Sequence, residues 1–336
     1  MSYKSLNKSL IEGKSNFVVF VLPLFFVSLL FYFGDLTPRA KTLVFAASSL
    51  IDSAHVYTTF VLLFFSKKLV SYFSFRKLLV IGLLTLLALF LIFSLTSHSQ
   101  WTWYFIAAGA IFHFIKQQVG WMKIATKGQA QSELQTWIDL LSIYTLTGIT
   151  VIYRLTVLEQ PNWFLNNDLP KLDEKYFTIA CLIFALSQIC FFSSNIYNSF
   201  KSKLIPTAKL NIWLSTFIGW FFALIILEDM SLTVSLLLLQ HGLPYLVLIS
   251  KKSETQVDRV SRKIFKVYLV LMGGFLLGYL NYYIIASPKF EGQDFLQRQA
   301  TAALFAIYFG AQFIHYAYDS FLWKAKHKLI FANLDS

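Results

Sequence analysis

Long apolar runs constrain this chain more than any other feature. A helix needs about 20 mainly apolar residues to cross the hydrocarbon of a bilayer. The sequence offers such runs at 17–34, 43–65, 77–96, 101–123, 135–157, 176–199, 209–227, 230–250, 264–286 and 300–323. The pattern predicts an all-α polytopic transmembrane helix bundle of about ten helices, with residues 1–336 forming a single integral membrane domain. The seventh and eighth runs meet at Glu228-Asp229-Met230, which calls for a tight hairpin with both acids in water. The first run follows a basic N-terminus, but no small-x-small cleavage signal precedes Asp35, so it reads as a retained helix. Composition agrees. Charged residues make up 14% of the chain, against about 25% in soluble domains, and the mean hydropathy is +0.59.

A net charge of +12 raises the question of nucleic acid. The positions of the cations answer it. Arg39, Lys41, Lys171, Lys175, Lys289 and Arg298 belong to one side of a ten-span chain, and Lys116 and Arg154 lie within spans. Every other Lys and Arg, Lys209 among them, falls near loops or termini of the opposite side. Cytoplasmic loops carry such an excess. The asymmetry predicts an inner-membrane protein with both termini in the cytoplasm, membrane lipids as its surroundings and no nucleic-acid partner. Cys181 and Cys190 share one span. Nine helical residues separate them by about 13.5 Å, too far for a disulfide, and no thiolate zinc site is available.

Four histidines, His55, His113, His241 and His315, sit inside apolar runs, where an ionisable residue is costly and marks a functional site by default. Their spans all run in the same direction. A rise of 1.5 Å per residue puts them about 18, 18, 17 and 22 Å deep, near one level. Residues three or four apart share a helix face. Asp52 therefore accompanies His55, Gln117 accompanies His113, and Gln312 and Asp319 accompany His315. Lys116 neighbours His113. Tyr57, Tyr245, Tyr316 and Tyr318 are nearby hydroxyls, and Gln188 reaches the same depth. Pro244 removes the hydrogen bond to the Gln240 carbonyl and kinks the helix beside His241. Polar residues concentrate at this level and in the inner half of the spans.

Imidazole and carboxylate together suit iron or zinc, and without cysteine a soft copper site is less favoured. The predicted metal ligands are His55, His113, His241, His315, Asp52 and Asp319, with the two aspartates either bound to the metal or orienting imidazoles. Lys116, Gln117, Tyr245 and Tyr316 are the candidate catalytic residues that would bind or tune an oxygen species. The stretches Ile111-Phe112-His113-Phe114 and Gln240-His241-Gly242-Leu243-Pro244, with four intramembrane histidines in all, resemble the bacterial membrane carotene dioxygenases related to bacteriorhodopsin-related proteins. That resemblance implies iron held by transmembrane histidines. The segments Asp52-x-x-His55-Val56-Tyr57, His113-Phe114-Ile115-Lys116-Gln117-Gln118 and His315-Tyr316-Ala317-Tyr318-Asp319 also look like motifs of multi-histidine bacterial membrane proteins. The HxxxH and HxxHH clusters of membrane desaturases are absent.

The sequence thus predicts a membrane metalloenzyme, its metal most favourably non-haem iron, that oxidises a hydrophobic, lipid-like substrate with an electron donor as partner. Two alternatives use the same residues: a transporter or channel for protons or metal ions, and a bis-histidine haem protein for electron transfer. A transporter requires a polar route to both surfaces, and the apolar outer halves of the spans favour the enzyme.

Overall fold

The computed structural model describes residues 20–65, 75–96, 100–126, 131–157, 169–202, 206–253 and 295–322. The expected span 264–286 with Gly274 and Gly278, most of the loop 158–175, His98, His327, and the side chains of Tyr57 and Tyr318 lie outside the described residues. Every described element is helical: α1 (Leu22–Phe33), α2 (Pro38–Phe65), α3 (Phe75–Thr96), α4 (Gln100–Thr126), α5 (Glu133–Val157), α6 (Lys175–Ser202), α7 (Thr207–Phe221), α8 (Met230–Ser253) and α9 (Phe295–Leu322). A single π-turn, Phe222–Ile226, ends α7. Five segments are long and apolar enough to cross a membrane: Glu133–Val157, Lys175–Ser202, Thr207–Ile226, Met230–Val247 and Leu296–Ala317. These five mark a membrane protein, and α1 and α3 contain shorter apolar helices. Helices α2 and α4 are 28 and 27 residues long and carry buried Asp52, His55, His113 and Gln118.

Helix starts follow local chemistry. Thr37 accepts a hydrogen bond from the Ala40 amide, and Pro38, which has no amide hydrogen to satisfy, takes the first helical position of α2. Ser132 caps α5 by accepting from the Gln135 amide at 3.2 Å, and Asp173 accepts from the Lys175 amide at the start of α6. Asp229 breaks the chain between α7 and α8. Its Oδ1 accepts from the Ser231 and Leu232 amides, as an N-cap does.

Asp229 also pairs with Lys41 at 2.8 Å. Burial alone would raise its carboxyl, but the Lys41 ammonium and the two capping amides outweigh that and hold it below the ordinary carboxylate range. A depressed folded-state pKa adds stability above the unfolded value, and that stability is lost as pH falls through the folded value. Asp229→Asn is therefore expected to lower the melting temperature at neutral pH, with the gap to wild type closing as the pH drops into the range where Asp229 protonates. Thermal scans in detergent across pH check this. A gap that persists at acid pH would contradict the linkage.

The chain packs as two compact units. The first comprises Met1–Phe45, Ala107–Pro244 and Leu334–Ser336, the second Ala46–Ile106 and Tyr245–Asn333. In the first, α5 packs on α6 and α7, and α7 on α1. Helix α6 turns Leu182, Ile183, Leu186 and Ile189 outward, a lipid-compatible face. In the second, α3 packs on α9. An ideal Cβ on Gly310 would lie 2.5 Å from the Leu86 side chain, so only glycine admits this approach without a shift. Phe93, Trp103, Phe305 and Phe309 build an aromatic core beside it, with Phe93 stacked on Phe309 at 5.6 Å.

Candidate metal centre

The second unit brings together four of the six predicted ligands. Helix α2 supplies Asp52 and His55, and α9 supplies His315 and Asp319. His55 and His315 are fully buried, and both aspartates are 6% exposed. The two imidazoles meet edge to face with centroids 4.4 Å apart. Asp319 Oδ2 lies 3.5 Å from His315 Nε2 and 3.9 Å from His55 Nε2. The other imidazole nitrogen of His55, Nδ1, faces Asp52 Oδ1 at 4.0 Å. Gln312 donates to the second Asp52 oxygen at 3.5 Å. Tyr245 lays its ring 4.0 Å from that of His55 and is buried. Tyr316 sits 5.8 Å from the His315 ring.

These separations separate the roles of the two aspartates. Donors at about 2.1 Å from one ion are at most about 4.2 Å apart, and about 3.4 Å apart in a tetrahedral site. The Asp319 oxygen satisfies this with both Nε2 atoms. Asp52 instead addresses the far nitrogen of His55. A carboxylate there favours the tautomer with hydrogen on Nδ1 and leaves the Nε2 lone pair for a metal. Two histidines and one carboxylate are a donor set that suits non-haem iron.

The first unit holds the other two histidines. His113 on α4 and His241 on α8 approach with ring centroids 4.9 Å apart, and Phe114 lies 4.4 Å from His241. Next to His241, the Gln240 side chain donates to the Ser215 carbonyl of α7 at 2.8 Å. An ideal Cβ on Gly219 would collide with the Gln240 amide. Gly219→Ala is expected to displace Gln240 and to cost about 1–3 kcal/mol, the range for overpacking a filled core, read as a lower melting temperature. A melting temperature equal to wild type would show that Gln240 has room to move.

The remaining predicted residues separate from the histidines to different degrees. Lys116 is exposed and donates to the Tyr144 hydroxyl at 2.9 Å, with its ammonium over the Phe112 and Tyr144 rings. It turns to the outer face of α4, whereas His113 is 8% exposed. Gln117 is half-buried, and neither polar atom of its amide has a hydrogen-bond partner among the described residues. Gln188 belongs to a separate network. It donates to the Ser142 carbonyl and Thr145 and accepts from the Trp213 indole at 2.8 Å.

Two features of the first unit escape the sequence reading. Lys209, assigned by position to a loop flank, is 3% exposed and forms an ion pair at 2.6 Å with fully buried Asp139 of α5. The cause is local. Gln131 takes a second hydrogen bond from the Lys209 ammonium at 2.7 Å, so the ammonium has two buried partners. The second feature corrects the expectation of apolar outer halves. The buried positions of α5 include Gln135, Asp139, Ser142, Thr147, Thr150 and Arg154, while Leu134, Trp137, Leu141 and Val157 face outward. At the far end, Arg154 donates to the Ala223 and Leu227 carbonyls and to Thr233. A cation there complements the negative end of α7. The signal for Asp139 was present, as an acid inside an apolar run, but it has no histidine at helical spacing.

Comparison of the chain with protein-family models, curated proteins and solved structures finds no match.

Proposed function

We propose that this chain is an integral membrane metalloenzyme whose metal centre is built from His55, His315 and Asp319. One observation carries the reading: a single carboxylate oxygen lies within 4 Å of the Nε2 atoms of two fully buried histidines. A buried carboxylate beside two imidazoles is costly unless a cation or proton joins them. The metal most compatible with this donor set is iron, with zinc and copper as alternatives. A haem reading is less favoured, because Asp319 occupies the space beside both Nε2 atoms where a porphyrin would lie.

In this reading iron would supply redox chemistry, and the substrate is hydrophobic and lipid-like, with an external electron donor. Asp52, held by Gln312, fixes the His55 tautomer. Tyr245 packs against the His55 ring and limits its rotation, and Tyr316 lines the His315 side. Within the first unit the His113–His241 pair and Gln117 are proposed as metal-binding and catalytic residues in their own right, in line with the resemblance to the carotene dioxygenases. Exposed Lys116 is given no part in it. The ten-span topology, inner-membrane location and cytoplasmic termini belong to the same proposal and rest on the distribution of cations.

Elemental analysis of the purified chain tests the reading. Stoichiometric iron is expected in wild type and a loss of most of it in His315→Ala. Wild type without bound metal, or a variant with unchanged content, would sink the metal centre.

A further inference from the structure

Helices α4, α7 and α8 of the first unit meet in a polar junction. On α4, His113 and Gln117 are one turn apart and share a face, and His113 meets His241 of α8. The next residue, Gln118, accepts a hydrogen bond from Thr216 of α7 at 3.2 Å. The Gln240 amide of α8 crosses to α7, where it donates to the Ser215 carbonyl at 2.8 Å and lies against Gly219. Trp220 follows Gly219 and stands one turn beyond Thr216, on the same face of α7.

Several polar atoms of this junction are buried without a bond. Gln117 Oε1 and Nε2, Gln240 Oε1 and the Trp220 indole Nε1 have no hydrogen-bond partner among the described residues. Trp220 is 1% exposed and Gln240 is 2% exposed. An unpaired donor or acceptor at such depth is costly and calls for an occupant. The set selects that occupant. Trp220 offers only a donor, and Gln240, whose nitrogen is engaged with Ser215, offers only an acceptor. Gln117 offers both. A hydroxyl accepts one hydrogen bond and donates another, so it matches the set. A carboxylate or phosphate would meet the lone pairs of Gln240 Oε1, and a metal cation on these atoms would meet the Trp220 hydrogen.

The junction also borders lipid. Phe112 and Lys116, which precede His113 and Gln117 in sequence, are exposed. Gln117 itself is half-buried, with its amide atoms turned inward. Phe114 lays its ring 4.4 Å from that of His241 and gives the polar atoms an apolar neighbour. An occupant that enters from the bilayer brings its polar end to the amides and keeps an apolar chain on the lipid side.

We propose that the first unit binds the hydroxyl end of a long-chain alcohol at Gln117, Trp220 and Gln240. The Trp220 indole donates to the hydroxyl oxygen, the hydroxyl donates to Gln240 Oε1, and the Gln117 amide completes the set from α4. This names the class of the lipid-like substrate proposed above and rests on that reading for the alcohol's role as substrate. Binding itself needs no metal.

The test measures binding of tritiated hexadecanol to the full chain in detergent. Saturable binding of one alcohol per chain is expected. Unlabelled hexadecanol should compete, whereas hexadecane and hexadecyl methyl ether should not, because the ether accepts a hydrogen bond but donates none. Gln117→Leu and Trp220→Phe are each expected to weaken binding by about tenfold or more. Gln117→Leu removes an amide with no hydrogen bond among the described residues, so without alcohol its melting temperature should equal or exceed that of wild type. No saturable binding in wild type, equal competition by the alkane or the ether, or wild-type affinity in either variant overturns the site. A Gln117→Leu chain that melts well below wild type assigns the amide to the fold and overturns it too. Metal content is read on the same wild-type sample. Metal without alcohol binding removes only this site, and alcohol binding without metal removes only the metal centre.

Discussion

Replacing Asp319 by alanine is expected to abolish stoichiometric metal binding, whereas Asp52→Asn retains the metal and weakens it about 10- to 100-fold. The difference follows from which nitrogen each carboxylate addresses. Asp319 Oδ2 is beside both Nε2 atoms, at 3.5 and 3.9 Å. Without it, two neutral imidazoles remain and the negative charge that draws a divalent cation into an apolar bundle is gone. Asp52 faces His55 Nδ1. Its loss would leave all three proposed donors in place and remove only the preference for one tautomer. Asparagine at position 52 keeps an oxygen that accepts a hydrogen bond, so part of the orientation survives. Competition against a chelator of known affinity, in detergent, measures both variants in one experiment. Equal losses in the two would mean that Asp52 binds the metal as directly as Asp319. Equal retention would remove the centre from α2 and α9.

Much of the fold was legible because membrane helices follow from simple counts. The break before α8 was placed at Glu228-Asp229-Met230, where Asp229 caps the amides that the first turn leaves open, whereas α2 begins at Pro38, five residues ahead of the expected 43. The candidate ligands were legible too, because histidines within apolar runs are conspicuous. Their partition was not. Helical spacing shows that Asp52 and His55 share a face, and so do His315 and Asp319, but only the packing of α2 on α9 shows that Asp319 rather than Asp52 meets both imidazoles. Lys116 illustrates the converse limit. It lies three residues from His113, yet adjacent faces diverge enough for it to bond Tyr144 on the exposed side. Lys209 was illegible for another reason. Near a helix start, a lysine that snorkels to water and one that turns inward have the same sequence context, and the distinction depends on an acid some 70 residues earlier in the chain.

That buried pair leads to the other large expected effect, on stability. Lys209→Met should destabilise the protein by about 3–5 kcal/mol, because it leaves the Asp139 carboxylate buried without its cation. The residual hydrogen bonds from Gln135 and Asn195 serve the charge only in part. Asp139→Asn should cost a similar amount by stranding the ammonium against Gln131. The double variant Asp139→Asn/Lys209→Met should recover most of either loss, since it removes two desolvated charges together and keeps an amide for Gln135. The cycle closes with a large coupling term, as expected for two groups in direct contact. Refolding equilibria in mixed detergent read all four chains. Additive losses in the double variant would mean that each residue stabilises the helices through separate contacts. Recovery would show that the pair contributes little net stability, and the retention of two charges at that depth would then need a reason other than folding.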